Sequence, residues 1–102
     1  MNPTTIDHAE FVEKVADGSV AVIDVREPHE YAAGHVPGAI NHPLSRFQPS
    51  AMPSGKPVVL ICASGVRSMS ALAKARAGGH ESAVHYAPGT NGWRMRGGQV
   101  ER

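Results

Sequence analysis

The chain has 102 residues, a net charge of +1, 41% hydrophobic and 19% charged residues. That length fits a single domain, 1–102, with a modest core, and that composition excludes a disordered chain. The basic residues are scattered and no apolar run approaches the ~18 residues of a membrane span, so neither nucleic acid nor a membrane is an expected partner.

The N-terminal residues MNPTTIDHAEF carry neither the basic nor the apolar stretch of a secretory signal. The one cysteine, Cys62, excludes an internal disulfide. Both features point to a reducing, cytoplasmic setting.

In chain order, Thr4–Ile6 reads as a short edge strand. Asp7 and Glu10 form a capping-box pattern, and Phe11, Val12 and Val15 follow at helical spacing, so a helix is predicted near 8–17 with Gly18 as its stop. VAVIDV at 20–25 is a nearly continuous apolar run, which suits a strand buried on both faces. Pro28 opens a short helix through Ala33, ended by Gly34. A turn and short strand follow over 36–41, then a loop from Pro43 to Gly55 with one helical turn at most. PVVLI at 57–61 is a second strong strand. A helix is predicted from Ser68 to Ala77, a strand over 82–87, and a last short helix around Trp93 and Met95 before Gly97. Strands alternating with helices define an α/β domain with a mainly parallel sheet, whose ligands bind at the carboxyl ends of the strands.

Cys62 lies at one such end, in VVLICASGVRSMS (58–70). A strand, a short loop and a helix start gather backbone N–H groups that lack intrahelical partners, and the helix dipole adds positive charge. Small residues at 63–65 let the backbone curl into an anion-binding nest. A thiolate there gains stability, so its pKa falls and it becomes a nucleophile at neutral pH. The competing reading is a small buried hydrophobe at a strand end. Two roles are open to Arg67: attracting an anionic substrate or bracing the loop.

The stretch CASGVRS resembles the active-site loop of single-domain rhodaneses, Cys-x-x-Gly-x-Arg-Ser. IDVREPHEYAAGHVPGAINHP (23–43) resembles that family's upstream signature and PGTNGW its closing motif. Three blocks in order, from about residue 5 to residue 100, carry the resemblance. It implies a three-layer α/β/α rhodanese-like domain with a mainly parallel central sheet of about five strands. It also implies sulfur transfer without a cofactor. Cys62 takes the outer sulfur of a donor such as thiosulfate as a persulfide, then passes it to a thiophilic acceptor, cyanide or a thiol. A protein persulfide is a further candidate partner. The N–H groups of Ala63, Ser64, Gly65, Val66, Arg67 and Ser68 would cradle the terminal sulfur. The alternative is a non-catalytic rhodanese-like binding or regulatory module, a class that typically lacks the cysteine kept here.

Loop length separates a related chemistry. Cysteine-dependent phosphatases use Cys-x5-Arg, sized for a tetrahedral phosphate, whereas four residues separate Cys62 from Arg67. The smaller ring suits one extra sulfur atom.

Asp24 and Arg26 leave the first strong strand on the rim expected to hold Cys62. Asp24 either positions Arg67 or the loop, or only caps the next helix or bonds nearby backbone. Arg26 and Glu30, four apart, are expected to pair with each other. His35 in GHVPGA is read as part of a structural turn. No histidine pair has zinc spacing, so no metal site is expected. No histidine near the cysteine in sequence marks a general base, and a nest-activated thiolate needs none. Tyr86 and Trp93 are expected to fill the core, and Met69 and Leu72 to pack the following helix on the sheet. The Arg76 stem is expected to cover that edge with its charge in water. Three positions depart from the family pattern: Pro88 for glycine, Thr90 for an apolar residue and His80 for an aromatic one.

Overall fold

The computed structural model describes residues 3–102. Helix α1 spans His8–Asp17; Asp7 caps it by accepting the Glu10 N–H, and Gly18 ends it in the left-handed conformation. Strand β1 is Ala21–Asp24, α2 is Pro28–Ala32 and β2 is Ile40–Asn41. Strand β3 is Val58–Ile61, α3 is Val66–Ala77, β4 is Val84–His85 and α4 is Gly89–Met95.

The sheet is wholly parallel in the order β2-β1-β3-β4. It has four strands where about five are expected. Thr5 supplies a single parallel bridge to His85 rather than a fifth strand. The β4 segment is likewise two residues, shorter than the expected 82–87, because the chain turns into α4 straight after it. The 43–55 connection holds two 3₁₀ turns, Leu44–Arg46 and Pro49–Ala51, one more than expected.

Both central strands are buried along their whole length, as apolar runs in a covered parallel sheet require. Their alternating residues feed two cores. Ile23, Val58, Leu60 and Cys62 pack with Ala71, Leu72 and Ala75 of α3. Val22, Val59 and Ile61 pack with Phe11, Tyr86 and Trp93 on the opposite face. The result is three layers, α/β/α. Strand parity therefore aims Cys62 at α3.

Helix α3 starts two residues before the expected Ser68. Its buried face is Ser68, Ala71, Leu72 and Ala75, an i, i+3, i+4, i+7 stripe of mostly small residues. Met69 falls off that stripe and is 61% exposed, so it does not pack the helix as expected. Arg76 does not leave its charge in water either; its guanidinium donates to the carbonyls of Ala83 and Pro3.

Candidate functional site

Cys62 follows β3 directly, at the carboxyl edge of the sheet. Its residue is 1% exposed. The Gly65 N–H donates to Sγ at 3.1 Å and the Ser68 N–H at 3.3 Å. The thiol lies 3.5 Å from Ser68 Oγ. Behind the loop, α4 fastens two carbonyls: Thr90 N–H to Cys62 O at 2.8 Å and Asn91 N–H to Ala63 O at 3.1 Å. In a planar trans peptide the N–H points opposite the C=O. Fixing the carbonyls from outside therefore turns the following N–H groups inward, toward sulfur.

Burial pushes the Cys62 thiol up, but the Ser68 hydroxyl and the N–H groups of Ser68, Ser64 and Gly65 outweigh it. The net effect holds its pKa below the ordinary thiol value. The nest needs glycine at 65, where φ is 99° and the Ala87 carbonyl approaches closely.

Of the expected loop residues, Gly65 and Ser68 hydrogen-bond the sulfur and the Ser64 N–H helps lower its pKa. Ser68 is fully buried, while Ser64 and Val66 face solvent. Arg67 pairs with Glu30. Its Nη1 and Nη2 grip Glu30 Oε1 and Oε2 at 2.7 and 2.9 Å, a two-pronged ion pair from α3 to α2. The Arg67 guanidinium pulls the Glu30 carboxyl down to about 2, so the pair stays ionised through mildly acidic pH. Glu30 Oε1 also accepts the Glu27 N–H at 3.0 Å, anchoring the start of α2.

The expected Arg26–Glu30 pairing is corrected by these contacts. Arg26 precedes α2 and is off its surface, so helical i, i+4 spacing does not apply. It pairs instead with Asp24, Nη2 to Oδ2 at 2.7 Å and Nε to Oδ1 at 2.9 Å. Asp24 also accepts the Arg26 N–H. The partners of its carboxylate are the Arg26 N–H and guanidinium, and Arg67 is paired with Glu30. His35 is structural: its ring stacks on Tyr31 and its Nδ1 lies 2.9 Å from the Tyr31 carbonyl.

One neighbour of the site was not anticipated. His85 Nδ1 lies 2.9 Å from Ser68 Oγ, inside the protein. The β3–β4 register pairs His85 with Leu60, which puts its side chain on the Cys62 face of the sheet. Strand parity would have found it, given the register.

Thr90 Oγ1 is the one buried side-chain oxygen or nitrogen among the described residues without a hydrogen-bond partner. Thr90→Val removes that hydroxyl and keeps the branched shape. Stability should rise by about 1 kcal/mol and Tm by about 4–8 °C in a thermal melt. An unchanged or lower Tm would show that the hydroxyl is satisfied.

A wider cleft of about 530 Å³, between α1 and the C-terminal segment, contains none of the expected site residues. Among the described residues no group of three or more His, Cys, Asp or Glu is placed to hold a metal ion. No helix among them is long and apolar enough to cross a membrane.

The fold and loop together define a three-layer α/β domain that presents one cysteine sulfur to the backbone N–H groups of Gly65 and Ser68. Residues 7–96 match the family described as Rhodanese-like domain, and the chain belongs to that family. It is 33% identical over 98 residues to the thiosulfate:glutathione sulfurtransferase of Saccharomyces cerevisiae, covering 80% of this chain and 70% of that one. Among solved structures, the human single-domain sulfurtransferase TSTD1 superposes with a TM-score of 0.81 at 28% identity, covering 93% of this chain and 98% of that one. An uncharacterized protein of Synechocystis, slr1261, is 41% identical over 81 residues, or 78% of this chain. The chain spans less than half of that relative, 45% of its length.

Proposed function

We propose that the chain, acting as one domain, is a sulfurtransferase working through a Cys62 persulfide. The observation that carries this reading is the set of donors converging on Cys62 Sγ from Gly65 and Ser68. Such donors stabilise a thiolate first and a persulfide sulfur afterwards. The thiolate would attack the outer sulfur of a donor such as thiosulfate. A sulfur–sulfur bond forms to Cys62, the donor's sulfur–sulfur bond breaks, and sulfite leaves with the bonding pair. A thiol or cyanide acceptor would then attack the outer sulfur and return Cys62 as thiolate. The yeast relative's name makes thiosulfate and glutathione the first pair to try. A protein persulfide is a further donor to test.

Because Cys62 is 1% exposed, the terminal atom of the donor is the part that reaches it. Arg67, committed to Glu30, acts in this reading as a brace. A cytoplasmic setting would keep the thiol reduced between turnovers.

The test is an intact-mass measurement after incubation with thiosulfate, followed by cyanide and a thiocyanate assay. Wild type should gain one sulfur atom and return it as thiocyanate, and Cys62→Ala should do neither. Identical behaviour of the two proteins would overturn the proposal.

A further inference from the structure

We propose that His85 is a positioning residue that exchanges a proton with the Cys62 thiol through the Ser68 hydroxyl, so that thiolate and imidazolium form as a pair. The three groups make a continuous buried chain. Cys62 Sγ is 3.5 Å from Ser68 Oγ, which is 2.9 Å from His85 Nδ1. Their residues are 1%, 0% and 2% exposed.

The Ser68 hydroxyl has a single proton to place. Its two acceptors in the thiol state are His85 Nδ1 and, at 3.2 Å, the Gly65 carbonyl. When the thiol ionises, the S–H proton passes to Ser68 Oγ while the Ser68 hydroxyl proton passes to Nδ1. One S–H and one O–H bond break, and one O–H and one N–H bond form. The site is neutral before and after, and nothing is oxidised. Nδ1–H then donates to Ser68 Oγ, which leaves the new hydroxyl proton directed at the sulfur anion. A serine that merely accepts from the thiol thus becomes a donor to the thiolate.

The ring's hydrogen bond is to Ser68 Oγ. Leu60 pairs with His85 from β3, and His85 is among the residues lining a cleft of about 360 Å³ with Thr4, Thr5, Val66 and Met69. Tyr86, the residue after β4, belongs to the opposite core and meets His8 instead. Arg76 of α3 is the charged group beside β4, its guanidinium held by the carbonyls of Ala83 and Pro3, and Cys62 is the ionisable group joined to His85 through Ser68. Burial lowers the His85 pKa, which disfavours a lone imidazolium there, so the charged ring needs the thiolate as its counter-charge.

The inference rests on Cys62 being a nucleophile, and one experiment separates the two claims. Cys62 is the single thiol of the chain, so its alkylation by iodoacetamide can be followed against pH. Wild type should show a midpoint below the ordinary value of about 8.5. His85→Asn keeps an oxygen that accepts from Ser68 but cannot titrate. It should raise the midpoint by about one pH unit, a roughly tenfold slower alkylation at a pH below both midpoints. A wild-type midpoint of about 8.5 would sink the nucleophile reading itself. A depressed wild-type midpoint that His85→Asn leaves unmoved would sink the His85 proposal alone. The second measurement needs no variant. Linkage is reciprocal, so capping Cys62 must lower the His85 titration midpoint, read by NMR of its ring, by a similar amount. An unmoved His85 titration after capping overturns the proposal.

Discussion

Alanine at position 65 should slow persulfide formation by about 100- to 1,000-fold and cost stability as well. Gly65 has φ of 99°, a conformation that costs a residue with a Cβ about 1–3 kcal/mol. The added Cβ would also stand 2.5 Å from the Ala87 carbonyl oxygen, which is backbone and cannot swing aside. Relief therefore has to come from the loop. Moving the loop withdraws the Gly65 N–H from Sγ, a contact of 3.1 Å, and disturbs the start of α3, which Gly65 caps. A single preorganised donor of this kind is worth about 100- to 1,000-fold in rate where charge develops on the acceptor. The checks are a thermal melt, the alkylation midpoint of Cys62 and the rate of sulfur uptake from thiosulfate. A Gly65→Ala protein with the wild-type melt, midpoint and rate would mean that the loop tolerates a rearrangement this geometry forbids.

The parts of this site that were legible from sequence are those whose cause is local. Asp7 and Glu10 cap the start of α1 within one turn and Gly18 ends it, and the helix has the predicted ends. The apolar runs around Val22 and Val59 are strands because four consecutive buried positions leave little else for them to be. The loop was legible because its glycine, its small residues and the helix after it are contiguous.

The misreadings share a different cause. Arg26 and Glu30 look like a pair on spacing, but the helix begins at Pro28, between them, and each finds a partner that spacing cannot reveal. Glu30 meets Arg67 thirty-seven residues away. Helical spacing points Met69 at the core with Leu72, yet the α3 face that packs is Ser68, Ala71, Leu72 and Ala75, mostly small residues. Small residues let the helix sit close to the sheet, and periodicity weighted toward large apolar residues misses that. His85 escaped notice because β4 is two residues long, too short for alternation to show which face its side chain takes. Its place depends on register with Leu60, a fact about three dimensions.

The other large effect belongs to Asp24. Asp24→Ala should destabilise the fold by about 3–5 kcal/mol, because it strands a buried guanidinium. Asp24 is 0% exposed and Arg26 6%. The carboxylate takes both prongs of Arg26, and Nη2 of the same arginine reaches the Gly34 carbonyl at 2.9 Å. Asn41 Nδ2 completes the junction by donating to the carbonyls of Asp24 and Arg26. Together these contacts tie the end of β1 to the end of α2 and to β2, on the rim beside the cysteine loop. Without the carboxylate the positive charge keeps its burial and loses its partner. Domains of this size hold about 5–15 kcal/mol in all, so the loss is a large share, and Tm should fall by more than about 10 °C. The reverse half of the experiment is the sharper one. Asp24→Leu combined with Arg26→Met removes both charges and keeps most of the volume, and it should recover most of the stability lost by Asp24→Ala. If the double variant is no more stable than the single one, the pair contributes through its specific hydrogen bonds to Gly34 and the strand end. If Asp24→Ala itself melts within a few degrees of wild type, the charge is not buried as this geometry has it, and the rim beside Cys62 is held by other means.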